Sequence, residues 1–203
     1  MTLYERYTCL KPKKEQIEQA VNILIASYKN GGMLLLCGNG GSAADCSHIT
    51  GELMKGFLLK RPLEEELIKR FTDLGEKEMG EKLQGSLPAI SLVENNALIS
   101  AFSNDVEPDY IFAQQVIGLG KKEDVLFAVS TSGNAVNVCK AVTAAKAIGM
   151  KTIALTGRQG GKLAECAELV IQVPEEETWK VQELHLPVYH WICACVEQYF
   201  WDH

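Results

Sequence analysis

Hydrophobic side chains recur along this chain in two rhythms. Between Lys13 and Asn30 they fall at helical spacing, with Ile17, Ala20, Val21, Leu24, Ile25 and Tyr28 on one face. Gly31-Gly32 ends that helix. The second rhythm is a short unbroken apolar run. Met33–Cys37 is the first, and it reads as a buried strand that ends in Gly38-Asn39-Gly40-Gly41-Ser42. Helical spacing then returns through about Phe57. The unit repeats. Further strands are expected at Pro88–Val93, Asp124–Val129, Lys151–Leu155 and Leu169–Val173. Helices are expected at Ala97–Phe102, Tyr110–Leu119, from after Asn134 to Gly149, around Lys162–Cys166 and over Thr178–Tyr199.

Short Val/Ile/Leu-rich strands that alternate with helices require crossover connections, and these make a parallel sheet covered on both faces. The predicted fold class is therefore α/β: an open, doubly wound, five-stranded parallel sheet. That number of strands is too small to close an eight-stranded barrel. The 203 residues suit one domain with a substantial core. Ligands of such sheets bind beyond the carboxyl ends of the strands. Both Gly/Ser-rich turns, Gly38–Ser42 and Ser130–Asn134, are expected there.

One stretch breaks the rhythm. The segment 58–87, and above all Leu58–Gly85, is charge-rich and holds no strand. Leu63, Leu67, Phe71 and Leu74 predict one amphipathic helix, with Gly75–Gly85 as its loop. A surface excursion is the expected role; a lid over the site is the alternative.

Composition narrows the function. With 26 acidic and 20 basic side chains the net charge is −6, which argues against nucleic acid as a main ligand. A 47% hydrophobic, 23% charged chain is too apolar for disorder. No apolar run approaches the roughly 20 residues of a membrane helix. Met1–Pro12 lacks the apolar core and cleavage site of a signal peptide, so a cytoplasmic protein is expected. The seven cysteines form no CxxC pair and are expected to be reduced thiols used as small hydrophobes.

Gly38-Asn39-Gly40-Gly41-Ser42-Ala43 has the form of a dinucleotide fingerprint. The acidic residue such a unit needs at the end of the next strand is missing, and so is a Walker lysine. What remains is a glycine-rich turn that opens a helix and offers backbone N–H groups to an anion or a sugar oxygen. Ser130-Thr131-Ser132-Gly133-Asn134 adds three hydroxyls at a second helix start. That is a cradle for a phosphomonoester on a small molecule. His48 and Glu52 share one face of the helix after the first turn. Gln182 and His190 lie on the last helix, with Glu183 and His185 nearby and Pro187 between them, where a kink is expected.

Taken together, Cys37–Asp45 with His48 and Glu52, Ser130–Asn134, Leu155-Thr156-Gly157-Arg158 with Gly160-Gly161-Lys162, and Gln182-Glu183-Leu184-His185 ending in His190 resemble the sugar isomerase (SIS) domain of phosphoheptose isomerases over nearly the whole chain. The resemblance implies a flavodoxin-like SIS fold. It implies interconversion of sedoheptulose 7-phosphate and D-glycero-D-manno-heptose 7-phosphate through an enediol, toward activated heptoses. It also implies a cytoplasmic homotetramer with sites shared between subunits, and one zinc ion per subunit. Carried over by position, Asn39, Gly40, Gly41, Ser42, Asn104 and Asp105 contact substrate, and Ser130, Thr131 and Ser132 hold the phosphate. His48, Glu52, Gln182 and His190 form the metal set. Glu52 is the base and His190 the acid, and Glu52 and Gln182 also meet substrate.

The chain departs from that pattern at Ala135, where a serine is common, at Trp179-Lys180 in place of an Asp-Arg pair, and in the length of the insertion. Two other readings exist: a non-catalytic SIS protein that binds a replication initiator, and a sugar-phosphate sensor. Retention of Glu52 and His190 favours the enzyme. The apolar stripes of the Lys13–Asn30 helix and of Trp191–Val196 are expected to pack against copies of themselves, because one small sheet has little room for both.

Overall fold

Leu34–Gly38 shows why the strands are unbroken apolar runs. All its residues are buried, with Leu34 and Leu36 in one apolar layer and Leu35 and Cys37 in the other. A strand covered on both faces has no solvent side to mark with polar residues. The computed structural model describes residues 2–202. In chain order it contains α1 (Leu3–Arg6), a 3₁₀ segment (Thr8–Lys13), α2 (Lys14–Lys29), β1 (Leu34–Gly38), α3 (Gly41–Met54), α4 (Glu65–Asp73), α5 (Lys77–Lys82) and β2 (Ala89–Ser91). There follow α6 (Asn96–Asp105), a 3₁₀ turn (Pro108–Tyr110), α7 (Ile111–Leu119), β3 (Val125–Ser130), α8 (Val136–Ala147), β4 (Lys151–Thr156), α9 (Leu163–Cys166), β5 (Leu169–Gln172) and α10 (Thr178–Trp201).

The five strands pair in the order β2-β1-β3-β4-β5, all parallel, as the alternation of elements requires. The chain winds outward from β1 to β2 and then crosses back to β3, so the order reverses between β1 and β3. Leu36 faces Phe127 and Gly38 faces Val129 in register. One sheet face packs against α2, α3 and α10 through Ile17, Leu24, Ile49, Leu53, Val188 and Ile192. The other packs against α7 and α8 through Phe112, Val116, Val138 and Val142. No helix among the described residues is long and apolar enough to cross a membrane. All seven cysteines are free, with Cys37, Cys46 and Cys193 fully inside.

Two expectations change. The short helix α1 was not expected; its signal is the capping box Thr2-Leu3-Tyr4-Glu5, in which each partner bonds the other's backbone. The insertion holds two helices, because α5 occupies part of the segment read as loop. α4 and α5 pack on each other across Gly80, which lies against Ile68 and Phe71. Their base is closed by a bridge between Pro62 and Gln84, and α4 buries no residue. The segment is thus a surface excursion tied at its root. α10 is one continuous helix with Pro187 inside it. The stripes of α2 and α10 are covered in part within this one chain: Ile17, Ala20 and Leu24 are buried, and so are Ile192, Cys193 and Val196, whereas Val21, Ile25, Tyr28 and Trp191 are half-buried.

Candidate active site

Functional side chains occupy two places, a crest above the sheet and a flank beside it. At the crest, β1 and β3 deliver Asn39 and Ser130-Thr131 side by side, at the point where the strand order reverses. The amides of Asn39 and Asn137 exchange hydrogen bonds of 2.8 and 3.0 Å and tie the two loops together. Between the loops lies a pocket of about 190 Å³ lined by Asn39, Ser42, Val129, Ser130, Thr131, Ser132 and Ala135. No lysine or arginine lines it. α3 and α8 both open here without a side chain of the N-cap residue as cap. The Ser42 and Ala43 N–H groups donate to the Asn39 and Gly40 carbonyls, and the Val138 N–H to the Asn137 side chain, which leaves the Gly41, Val136 and Asn137 N–H groups for a ligand or water.

The second loop is held from below. Gly133 sits at φ +67°, and a Cβ there would overlap the Gly160 carbonyl oxygen. The Gly157 N–H donates to the Thr131 carbonyl at 2.9 Å, and the Leu163 N–H to the Gly133 carbonyl at 3.0 Å. Thr156-Gly157 and Gly160-Gly161 are therefore the support of the hydroxyl loop. The Gln182 amide reaches over from α10 onto Gly41, so a Cβ there would displace it.

On the flank, α3 and α10 run alongside each other. His48 Nε2 is 3.2 Å from Glu52 Oε1 and 3.4 Å from His190 Nε2. His48 Nδ1 is 3.0 Å from the Tyr189 hydroxyl, which donates to Asp45 Oδ1 at 3.2 Å. The second carboxylate oxygen of Glu52 is buried without a hydrogen-bond partner, and the nearest cation is Lys55 at 3.7 Å. Burial, and then the neighbouring His48, hold the His190 ring below the ordinary histidine range. His190 thus stands neutral beside a carboxylate that has a free oxygen. Phe57 packs against the His190 ring, with centroids 5.3 Å apart.

This flank is fixed by a buried ion pair that the sequence did not signal. Arg61 Nε donates to Glu197 Oε1 at 2.7 Å, and both side chains are fully buried. The guanidinium also donates to the carbonyls of Leu53 and Glu52 at 2.6 and 3.0 Å, at the carboxyl end of α3. Glu197 accepts the N–H groups of Phe57, Leu58 and Leu59 at 2.7, 2.7 and 3.1 Å. Burial pushes the Glu197 carboxyl up, but the Phe57 and Leu58 N–H groups with Arg61 outweigh it, and the group stays below the usual carboxylate range. The pair holds the backbone of Glu52 on one side and that of Phe57, against His190, on the other.

The residues expected at the site divide accordingly. Asn39, Gly40, Gly41, Ser42, Ser130, Thr131 and Ser132 lie at the crest. His48, Glu52 and His190 meet on the flank. Gln182 reaches from α10 over Gly41, at the start of the helix that carries His48 and Glu52. Asn104 and Asp105 are exposed at the end of α6 and hydrogen-bond each other at 2.8 Å. Asp45, Tyr189, Arg61 and Glu197 are the residues that sequence reasoning missed. Asp45 lay within a quoted motif, and Tyr189 adjoins His190; nothing in the sequence paired them.

Among the described residues no group of three or more His, Cys, Asp or Glu side chains is gathered as a ready cage. His48, Glu52 and His190 form a chain through His48 Nε2. Their donor spacings of 3.2 and 3.4 Å nevertheless match the edges of a zinc tetrahedron, about 3.3 Å for ligands at about 2.0–2.1 Å. The unpartnered Glu52 oxygen adds a free donor.

Known proteins place this arrangement. The family pattern described as SIS domain matches residues 6–85 and 82–157. A phosphoheptose isomerase of Helicobacter pylori is 38% identical over 191 residues, which is 94% of this chain and 88% of that protein. The structure of a phosphoheptose isomerase from Neisseria gonorrhoeae superposes with a TM-score of 0.74 at 32% identity, covering 97% of this chain and 100% of the other. One from Francisella tularensis gives 0.75 at 31% identity, covering 96% and 89%. Glycine turn, hydroxyl loop and the His48, Glu52 and His190 cluster thus stand on a shared fold at substantial identity, and the chain belongs to the phosphoheptose isomerase family of SIS-domain enzymes.

Proposed function

We propose that this sugar-phosphate isomerase interconverts sedoheptulose 7-phosphate and D-glycero-D-manno-heptose 7-phosphate. The observation that carries the reading is the Glu52 carboxylate, with a buried free oxygen, beside the neutral His190 ring. Glu52 takes a proton from C1 of the ketose. The electron pair forms the C1–C2 double bond of an enediol as the C2 carbonyl oxygen gains a proton. Return of a proton to C2, with loss of the O1 proton, leaves the C1 aldehyde. His190 serves the oxygen side of this exchange, giving a proton at O2 and taking one at O1. Nothing is oxidised or reduced overall, so no co-reactant is required. Ser130, Thr131 and Ser132 with the Gly41, Val136 and Asn137 N–H groups hold the phosphate. Asn39, Gly40, Gly41, Ser42, Asn104, Asp105 and Gln182 are assigned to the sugar.

Zinc, when bound, polarises the carbonyl oxygen. His48, Glu52 and His190 are its proposed holders. A His₂Glu set leaves a position open, as catalytic zinc sites do. Gln182, the fourth expected ligand, reaches from α10 over Gly41.

The same proposal includes a cytoplasmic homotetramer with shared sites. Its support is an open apolar groove of about 380 Å³ beside His190, lined by Tyr7, Phe57, Leu58, Leu186, Pro187 and Trp191 among others. Leu58 is 68% exposed. A sugar phosphate needs polar walls, whereas a second copy of the chain fits an apolar one. A coupled assay that follows aldose formation from sedoheptulose 7-phosphate, with light scattering on the same sample, tests both halves. Absence of turnover contradicts the activity, and a monomer at micromolar concentration contradicts the shared site.

A further inference from the structure

Asp45 and Tyr189 lie behind the catalytic cluster, on the side away from Glu52. Tyr189 is 2% exposed, and its ring packs in the apolar layer with Val188 and Ile192. Its hydroxyl lies 3.2 Å from Asp45 Oδ1 and 3.0 Å from His48 Nδ1. A phenol has one proton to donate. The carboxylate of Asp45 can only accept, so that proton points to Oδ1. The same holds if Asp45 carries a proton on Oδ2, which has no partner. The phenol oxygen must then accept from His48, and this places a proton on Nδ1. The other ring nitrogen, Nε2, is the one that faces Glu52 Oε1 and His190 Nε2. The ring is also held edge-on to Tyr189, with centroids 5.6 Å apart.

We propose that Asp45 and Tyr189 are positioning residues of this site: acting through the Tyr189 hydroxyl, they keep His48 protonated at Nδ1 and aim Nε2 at the point where Glu52 and His190 converge. Nε2 is thereby presented to Glu52 Oε1, to His190 and to any metal ion held between them. Partners of this kind behind a ligating histidine fix its tautomer and raise its basicity. Tyr189 sits on α10 next to His190, so one residue couples the aim of the α3 histidine to the helix that carries the second. The consequence for catalysis rests on the isomerase reading above; the hydrogen-bond assignment does not.

The test is ¹⁵N NMR of histidine-labelled full-length protein without sugar or metal, with His48 identified by loss of its signal in His48→Gln. The expected wild-type pattern is a proton on Nδ1 of His48. Tyr189→Phe removes only the hydroxyl, and is expected to release the ring to the Nε2–H form or to a mixture. Zinc affinity, measured with zinc alone by chelator competition, is expected to fall about 10–100-fold. kcat is expected to fall with little change in KM, and the melting temperature to stay near that of wild type. Asp45→Asn, which retains an acceptor oxygen, is expected to lose less zinc affinity than Asp45→Ala. A wild-type His48 with a bare Nδ1 overturns the proposal even if Tyr189→Phe fails to fold. An unchanged tautomer and unchanged zinc affinity in folded Tyr189→Phe overturn it as well. The tautomer is read without substrate, so its outcome is separate from whether the chain turns over a heptose phosphate.

Discussion

The crest and the flank of this molecule are built in different ways. At the crest, each loop is a short run of sequence that leaves a strand and enters a helix, and its donors are backbone N–H groups and small hydroxyls. On the flank, His48 meets Tyr189 and His190 across 141 and 142 positions of chain. The crest is therefore a consequence of local composition, whereas the flank is a consequence of how α10 docks on α3. The lesson is that anion binding can be read from a motif, but acid–base chemistry here depends on a tertiary arrangement, and that arrangement needs its own anchor in Arg61 and Glu197. The two regions should fail independently when perturbed, one in rate and one in binding.

The largest expected effect is on the flank. Glu52→Gln keeps the shape and the helix but removes the base, and should lower kcat by about 10²–10⁴. Affinity for inorganic phosphate, a crest property, should not change. A parental kcat would separate Glu52 from the chemistry.

Next comes the anchor. Arg61→Met leaves Glu197 as a buried, unpaired carboxylate and frees the carbonyls of Glu52 and Leu53. Removing one partner of a buried pair costs about 3–5 kcal/mol. Urea unfolding should show that loss. A change below about 1 kcal/mol would mean that the flank does not depend on the pair.

A third, comparable effect tests what lies between the regions. His185 is fully buried on α10. Burial holds its pKa down at about 4, and the Thr156 backbone offsets this only in part. Below the ordinary value of 6.5 the unfolded chain takes up a proton that the folded chain refuses. The stabilising contribution of the neutral ring is therefore complete above about pH 6.5 and is lost as pH falls toward 4, by about 3 kcal/mol in all. Unfolding curves over that window should be visibly flatter in His185→Leu. Identical acid limbs would refute the buried neutral ring.

The smallest effect belongs to the crest. Ser132→Ala removes one hydroxyl among several donors and should weaken phosphate binding by about 1.5–3 kcal/mol in calorimetry. kcat at saturating sugar phosphate should hold. If kcat falls and affinity does not, the division between crest and flank is wrong.

How much of this was legible follows the same division. The sheet was readable because runs such as Leu34–Cys37 and Val125–Val129 are apolar on both faces, a pattern only a doubly covered strand needs. Gly133 and Gly41 could be seen as turn glycines, but not that Gly160 and the Gln182 amide press on them. The pairing of His48 with Glu52 followed from helical spacing. Its meeting with His190 depends on the relative placement of two helices, which no spacing rule supplies. Arg61 looked like one more charge at the edge of a charged insertion; only the fold turns it inward to Glu197. α5 was missed because its six residues, Lys77–Lys82, are too few to display a period.

The most direct test of the account is solvent-isotope incorporation. In D₂O, wild-type protein given sedoheptulose 7-phosphate should return aldose carrying deuterium at C2, because a proton leaves the sugar on Glu52 and a solvent-exchanged one comes back. Glu52→Gln should show that incorporation reduced in step with its rate. Isomerisation at full rate with no deuterium at C2, or undiminished exchange in Glu52→Gln, would contradict the assignment of the chemistry to the flank.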